Sequence, residues 1–354
     1  NYVGGIAGES WYSTITGCTN SGKIEAASSA IGGICGYVHN YYHNIINCKN
    51  TGNVKGTGIY SYYVGGIAGW SESESNYTRC SNEGTVESLS YYVGGIVGWA
   101  TGTNVIDECS NKGAVKSTTA STSQSYGVGG IVGYLYNKST IRNSYNTGAI
   151  SSSCTYKTAP STSNYNYGVG GIAGASNGIG TSSYNYIENC YNIGTVYGSS
   201  MYYVGGIVGR NQYCYVRNCY SGKTISGNNA SYTGSIVGYG GYSSASYSYI
   251  RSGQGADRVY GGNYGSTSTN NSFSHTNESS VAPATVYTNL NSKRSSLLSG
   301  INYVEWAQDA SPWPNKGMPV LKICTDPALV FSASSASVSY GSSFTPPTLS
   351  KAGG

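Results

Sequence analysis

Charge is scarce in this chain of 354 residues: Lys, Arg, Asp and Glu together make up 9%, where a globular domain carries about a quarter. That scarcity argues against most ordinary enzymes and against helical bundles. The 19 Lys and Arg and 14 Asp and Glu are scattered singly, so no basic face marks nucleic acid as a partner. Histidine is limited to His39, His43 and His275, none in a His-Glu-x-x-His arrangement, so a zinc peptidase site is missing. No Cys-x-x-Cys or Cys/His cluster stands at zinc spacing, and no metal is expected. Gly222-Lys223-Thr224 resembles the end of a phosphate loop, but the position that should hold its leading glycine is Arg217, so no cofactor is expected either. No apolar run approaches the roughly 18 residues of a membrane span. The start, Asn1 to Gly8, shows no basic and apolar targeting regions.

What the chain has in excess is glycine, 52 residues, and tyrosine, 37. Val, Ile and Tyr recur at fixed intervals, which a disordered tract has no reason to keep. The segment VGGIAG at Val3 returns as IGGICG at Ile31 and as close variants at Val64, Val93, Val128, Val169 and Val204, with a worn copy at Thr233. Further on in each copy comes an aliphatic residue, two polar residues and Cys, then Asn-x-Gly-x-Val, as in Ile45 to Cys48 followed by Asn50 to Val54. The Cys position reads Cys18, Cys48, Cys80, Cys109, Ser144, Cys190 and Cys219. Length varies mainly in the connection after the Val strand.

Three β-branched runs separated by Gly and Asn turns in about 30 residues suit one coil of a three-faced parallel β-helix. The expected fold is therefore all-β, a right-handed β-solenoid of about eight coils stacked about 4.8 Å apart. Asn before x-Gly suits a positive φ at a turn. A single coil buries too few side chains to offset the ordering of its backbone, so the coils must stack. Asn1 enters directly at a repeat strand, so upstream chain or a covering partner is expected there.

Stacking turns aligned positions into columns. Ile6, Ile34, Ile67, Ile96, Ile131, Ile172, Ile207 and Ile236 read as core. The Cys column is interior too, with a rung spacing longer than a disulfide prefers, so these thiols are expected free and buried. Cys35, Cys154, Cys214 and Cys324 lie off the column, and their pairing cannot be deduced. Two residues before the Cys position, Asp107, Arg142, Glu188 and Arg217 alternate in sign and read as a structural ladder. The candidate ligand-binding stripe is Tyr37, Trp70, Trp99 and Tyr134, one residue after each glycine segment. Four such rings could offer apolar faces to sugars or simply stiffen the rod. Tyr145, Tyr191 and Tyr220 form a second aromatic column with the same two readings. Glu72 with Glu74, or Asp107 with Glu108, could serve glycoside cleavage, but fold analogy alone cannot carry that claim, and no catalytic residue is expected.

The repeats run over 1–280 and degenerate from about 239. Residues 281–326, with Leu290, Leu297, Leu298, Trp306 and the strand at Pro319, read as a cap over the final coil. Residues 327–354 read as the opening of another β-domain.

The VGGI(A/V)G segments with their Asn-Cys-x-Asn-x-Gly-x-Val signature resemble the GLUG-motif repeats of large bacterial surface proteins, including adhesins and the non-catalytic regions of IgA-cleaving metallopeptidases. The tail is similar to the start of a bacterial immunoglobulin-like domain. The resemblance implies a non-enzymatic module at the bacterial cell surface. Three functions follow as expectations: a stalk and adhesive surface for host or microbial glycans or matrix proteins, a fibre subunit that meets its own copies end to end, and, third, a polysaccharide-cleaving enzyme.

Overall fold

The computed structural model describes residues 1–250 apart from 40, 90, 119–126, 154–166, 181, 200–202, 223, 229, 231 and 247, and then 259–268, 288–292, 294, 303–308, 319–321, 329–331 and 349–351. It is a parallel β-solenoid of seven complete turns and a partial eighth. Coil two shows the plan, with strands Ala30–Gly32, Cys35–Val38, His43–Ile46, Lys49–Asn50 and Val54–Gly56. Equivalent strands of successive coils pair in parallel and in register: Ile31 lies beside Val64, Ile45 beside Tyr77, Asn50 beside Asn82 and Val54 beside Val86. The first strand of each coil builds one eight-stranded sheet, the second and third share a sheet of sixteen, the fourth builds a sheet of eight and the fifth a sheet of seven. Helix among the described residues is confined to 288–292 and 294.

The cross-section has four sheets, not the expected three faces, because the chain also turns one residue before the Cys column. That column is left-handed throughout: Gly17, Asn47, Arg79, Glu108, Asn143, Asn189 and Asn218 all have φ between 48° and 65°. The positive φ assigned to the Asn of Asn-x-Gly thus belongs three residues earlier. Asn50 itself lies in a strand, fully buried.

There it does different work. The Nδ2 of Asn20 donates to Asn50 Oδ1 at 2.8 Å, and the same bond repeats from Asn50 to Asn82, Asn82 to Asn111, Asn111 to Asn146 and Asn146 to Asn192 at 2.7 to 2.8 Å. Each amide also donates to the carbonyl two residues on, as Asn50 does to Gly52 at 2.7 Å. Both donors and the acceptor are used, which is what a buried amide requires. The ladder bears on the second glycine of the pair and the backbone corner on the first: a Cβ on Gly33 would lie 2.5 Å from Asn50 Cγ and one on Gly32 would lie 2.0 Å from the Cys35 carbonyl oxygen. No side chain fits either place.

Two apolar stacks fill the rest of the interior. One joins the Ile34 and Cys48 columns with Ile45 and its equivalents, and the other joins Ile31, Val54 and theirs. The Ile column is fully buried from Ile34 to Ile236, while Ile6 in coil one is 49% exposed. All eight cysteines at described positions are free, with Cys18 half-buried and the others buried. Burial pushes Cys35 and Cys214 up to about 12 each, so these thiols stay protonated and inert at neutral pH. Cys154 and Cys324 lie outside the described residues. In the tail, Leu329–Phe331 pairs antiparallel with Leu349–Lys351.

Candidate functional site

The strand that follows each glycine pair points alternate residues in and out. The alternation is interrupted at Gly69: Ala68 and Ser71 are both buried, and Trp70 between them stands on the outer face. Register places Tyr37, Trp70, Trp99 and Tyr134 side by side. Their rings stack on one another: Tyr37 on Trp70 with centroids 4.2 Å apart and planes at 17°, Trp70 on Trp99 at 5.4 Å and 7°, and Trp99 on Tyr134 at 6.2 Å and 21°. Tyrosines of the first sheet wedge between them, Tyr63 at 4.8 Å from Trp99 and Tyr92 at 4.9 Å from Tyr134. Tyr37 and Tyr134 are 5% and 4% exposed, and Nε1 of both tryptophans is buried without a hydrogen-bond partner. Both faces of each tryptophan are therefore occupied by neighbouring rings, and the column meets solvent with ring edges.

The second aromatic column also stacks, Tyr145 on Tyr191 at 5.0 Å and 5° and Tyr191 on Tyr220 at 5.3 Å and 3°. It is not an open surface. Trp306 packs on Tyr191 and Tyr220 at 6.0 and 5.6 Å, and Leu290, Val320 and Leu321 complete the cluster. Polar contacts fasten this strap to the column before the cysteines. Val304 N–H donates to Asn143 Oδ1 at 3.0 Å, Asn189 Nδ2 donates to the Val304 carbonyl at 2.8 Å, and Trp306 Nε1 donates to Asn189 Oδ1 at 2.7 Å. The segment expected as a cap over the last coil thus lies, in its described residues, along the flank of coils five to seven. The stacked tyrosines there supply an apolar seat, which draws the strap to the side.

The charge ladder stands in register, Asp107 beside Arg142, Arg142 beside Glu188 and Glu188 beside Arg217. Ion pairs close at 2.8 Å from Arg142 to Asp107 and 3.2 Å from Arg217 to Glu188. Glu188 turns its other oxygen to Tyr303, whose hydroxyl donates at 2.5 Å. Burial, and then that contact, push the Tyr303 phenol well above the ordinary tyrosine range. Beside Asp107, burial raises Glu108, which lies 3.9 Å from Arg79.

Sequence reasoning missed two further ladders, Lys49, Glu83 and Lys112 with pairs at 3.0 and 3.2 Å, and Glu25, Lys55, Glu87 and Lys116, where Lys55 meets Glu87 at 3.4 Å. It also missed a tyrosine cluster on the outer face of coils six to eight. Tyr186 stacks on Tyr215 at 5.6 Å, Tyr184 leans on Tyr215 at 4.5 Å, and Tyr213 stacks on Tyr242 at 5.1 Å and 5°. The signal for it was the i, i+2 repeat Tyr213-x-Tyr215, masked because Tyr184 sits in an insertion that upsets the column alignment.

Among the described residues no group of three or more His, Cys, Asp and Glu is arranged to hold a metal ion, and no helix is long and apolar enough to cross a membrane.

Stacked parallel coils, an asparagine spine and glycine corners define the class: a repeat-built parallel β-solenoid. A family model described as the GLUG motif matches residues 1–25, 27–55 and 124–151. A solved structure from Bacteroides ovatus, described as a "putative immunoglobulin A1 protease", is similar at 18% identity and a TM-score of 0.48 over 89% of this chain and 76% of that one. No curated protein matches the chain.

Proposed function

We propose that the chain is a non-enzymatic extracellular module of a bacterial surface protein, acting as a stiff stalk whose outer face binds ligands, glycans foremost. The observation that carries the reading is the placement of stacked aromatic columns on the outside of the coils. The interior needs none of them, and rings with an apolar body and a polar tip suit sugars. Eight rungs at about 4.8 Å give a rod roughly 38 Å long. Of the carboxylates that could suggest glycoside cleavage, Asp107 is engaged in the stack by Arg142 and Asn143.

The Trp70 and Trp99 stripe enters this function through its edges, since its faces are covered. The test is binding of the folded protein to a panel of glycans and host-matrix proteins, with Trp70→Ala, Trp99→Ala beside it. Retention of a glycan supports the adhesive reading. A panel with no binder overturns it and leaves the stalk.

A further inference from the structure

Three of the aromatic groupings on the outer face differ in what covers them. The Tyr37 to Tyr134 column covers itself, ring on ring. The Tyr145, Tyr191 and Tyr220 column is covered by Trp306. The third, on coils six to eight, lies beneath no other described element: Tyr184, Tyr186, Tyr213 and Tyr215 are half-buried and Tyr242 is 40% exposed.

Local structure holds these rings outward. Cys214 points into the core, so Tyr215 beside it on the same strand points out. Tyr215 pairs with Tyr186 in the next strand, and Arg217 with Glu188. Tyr213 and Tyr242 sit at the corner of the coil with φ of 45° and 47°, a region that bulky side chains avoid and that glycine or asparagine would occupy without strain. Aromatic residues in a strained, exposed turn point to a use for the ring beyond folding.

The chemistry of the surface narrows its ligand. Arg217 lies over Tyr215 at 4.5 Å and Tyr186 at 5.4 Å, and its charge is met by Glu188 at 3.2 Å. The platform is thus close to neutral, which disfavours phosphate or acidic polymers. It presents several phenol hydroxyls, each a donor and an acceptor, between rings about 5 Å apart. A chain of hydroxylated rings matches that mixture. A proline-rich helix seeks apolar ring faces and has no N–H at proline to meet the phenol oxygens, and the guanidinium occupies part of those faces.

We propose that Tyr184, Tyr186, Tyr213, Tyr215, Tyr242 and Arg217 form a binding platform for an extended neutral oligosaccharide. The proposal rests on the glycan reading above and gives it a site. The tyrosines supply rigid amphipathic surface at small entropic cost, and Arg217 fixes the ring pair beneath it through cation–π contact.

Affinity electrophoresis of the whole chain in gels holding neutral polysaccharides (β-glucan, xylan, galactomannan), beside an acidic polysaccharide, tests it. Wild type should be retarded by at least one neutral polymer. Tyr186→Ala, Tyr215→Ala should weaken that retention by about tenfold or more, Tyr186→Phe, Tyr215→Phe by less, and Lys112→Ala, an exposed position on coil four, should leave it unchanged. Circular dichroism checks that each variant is folded, and Tyr213→Ala is a second probe at a turn whose backbone does not favour tyrosine. Retention that survives the tyrosine substitutions overturns the platform while leaving the glycan reading. The absence of any retained polymer overturns both. Tyrosine-dependent capture of a proline-rich peptide in place of sugar overturns the ligand class.

Discussion

Coils two to four and coils five to seven present the same flank of the solenoid in two different forms. Before the Cys position the first set carries Asn47, Arg79 and Glu108, with φ of 53°, 52° and 53°, and the second Asn143, Asn189 and Asn218, with φ of 48°, 53° and 54°. After it stand Lys49, Ser81 and Ser110 in one set and Tyr145, Tyr191 and Tyr220 in the other. The backbone is the same, so the side chains alone decide what each half holds. The first half carries polar side chains and is tied by Lys49, Glu83 and Lys112. The second is dry and carries the Trp306 strap. A solenoid of this kind separates folding, done by the inward columns, from recognition, done by the outward ones.

The largest expected effect breaks that difference. Trp306→Ala empties the seat on Tyr191 and Tyr220, and removing a buried tryptophan costs about 3 to 5 kcal/mol. Hydrogen exchange should quicken at Tyr145, Tyr191 and Tyr220 and stay as it was at Lys49, Ser81 and Ser110. Equal loss in both halves would show the strap to be a support for the whole rod. Asn82→Ala should come next, at about 2 to 4 kcal/mol, because it strands the amides of Asn50 and Asn111 in the interior. Chemical denaturation measures it, and a loss under about 1 kcal/mol would mean that the asparagine spine is dispensable.

A smaller step is Tyr303→Phe, which takes one partner from the buried Glu188 carboxylate and should cost about 1.5 to 3 kcal/mol, read as a shift of the denaturation midpoint. The raised phenol also sets a pH dependence. Its folded pKa lies above the unfolded value of about 10, so its contribution is full below about pH 10 and is lost as pH rises beyond that, when the unfolded chain releases the proton first. Tyr37, Tyr77, Tyr134 and Tyr203 are raised as well, chiefly by burial, and act in the same direction. Stability should fall steeply above about pH 10 in wild type and less steeply in Tyr303→Phe.

The strict columns were legible before any coordinates: the Ile and Cys positions and the Asp107 to Arg217 alternation repeat at one offset, and an offset is all that stacking needs. The asparagine spine was hidden because Asn-x-Gly is also turn chemistry, and only the register shows Asn50 meeting Asn82. The strap was illegible for a different reason. Trp306 and Asn189 are 117 residues apart and belong to no common repeat, so no periodicity links them. The aromatic stripe was placed in the right column, yet its ring faces could not be judged, because Tyr63 and Tyr92 come from a neighbouring sheet to fill the gaps. Tyr184 escaped notice since its insertion carries it out of alignment, and with it went the tyrosine cluster of coils six to eight.

The smallest expected effect sharpens the contrast between the two halves. Glu83 accepts from Lys49 and Lys112 on the solvent side of coils two to four, and its carboxyl is held below the usual range, first by the hydrogen bond from Lys49. A depressed carboxylate adds stability above the unfolded pKa of about 4.3 and loses it as pH falls through the folded value. Partly exposed pairs are worth about 0.2 to 1 kcal/mol and are screened by salt. Glu83→Gln should therefore lower stability by that amount at neutral pH and low salt, and by almost nothing below pH 4 or in about 1 M salt. Exchange at Ser81 and Lys112 should report the change while Tyr191 stays unaffected. A salt-independent loss, or one that spreads to Tyr191, would mean that the two halves of the flank are coupled through the stack, and that the outward columns are less separable from the inward ones than their geometry implies.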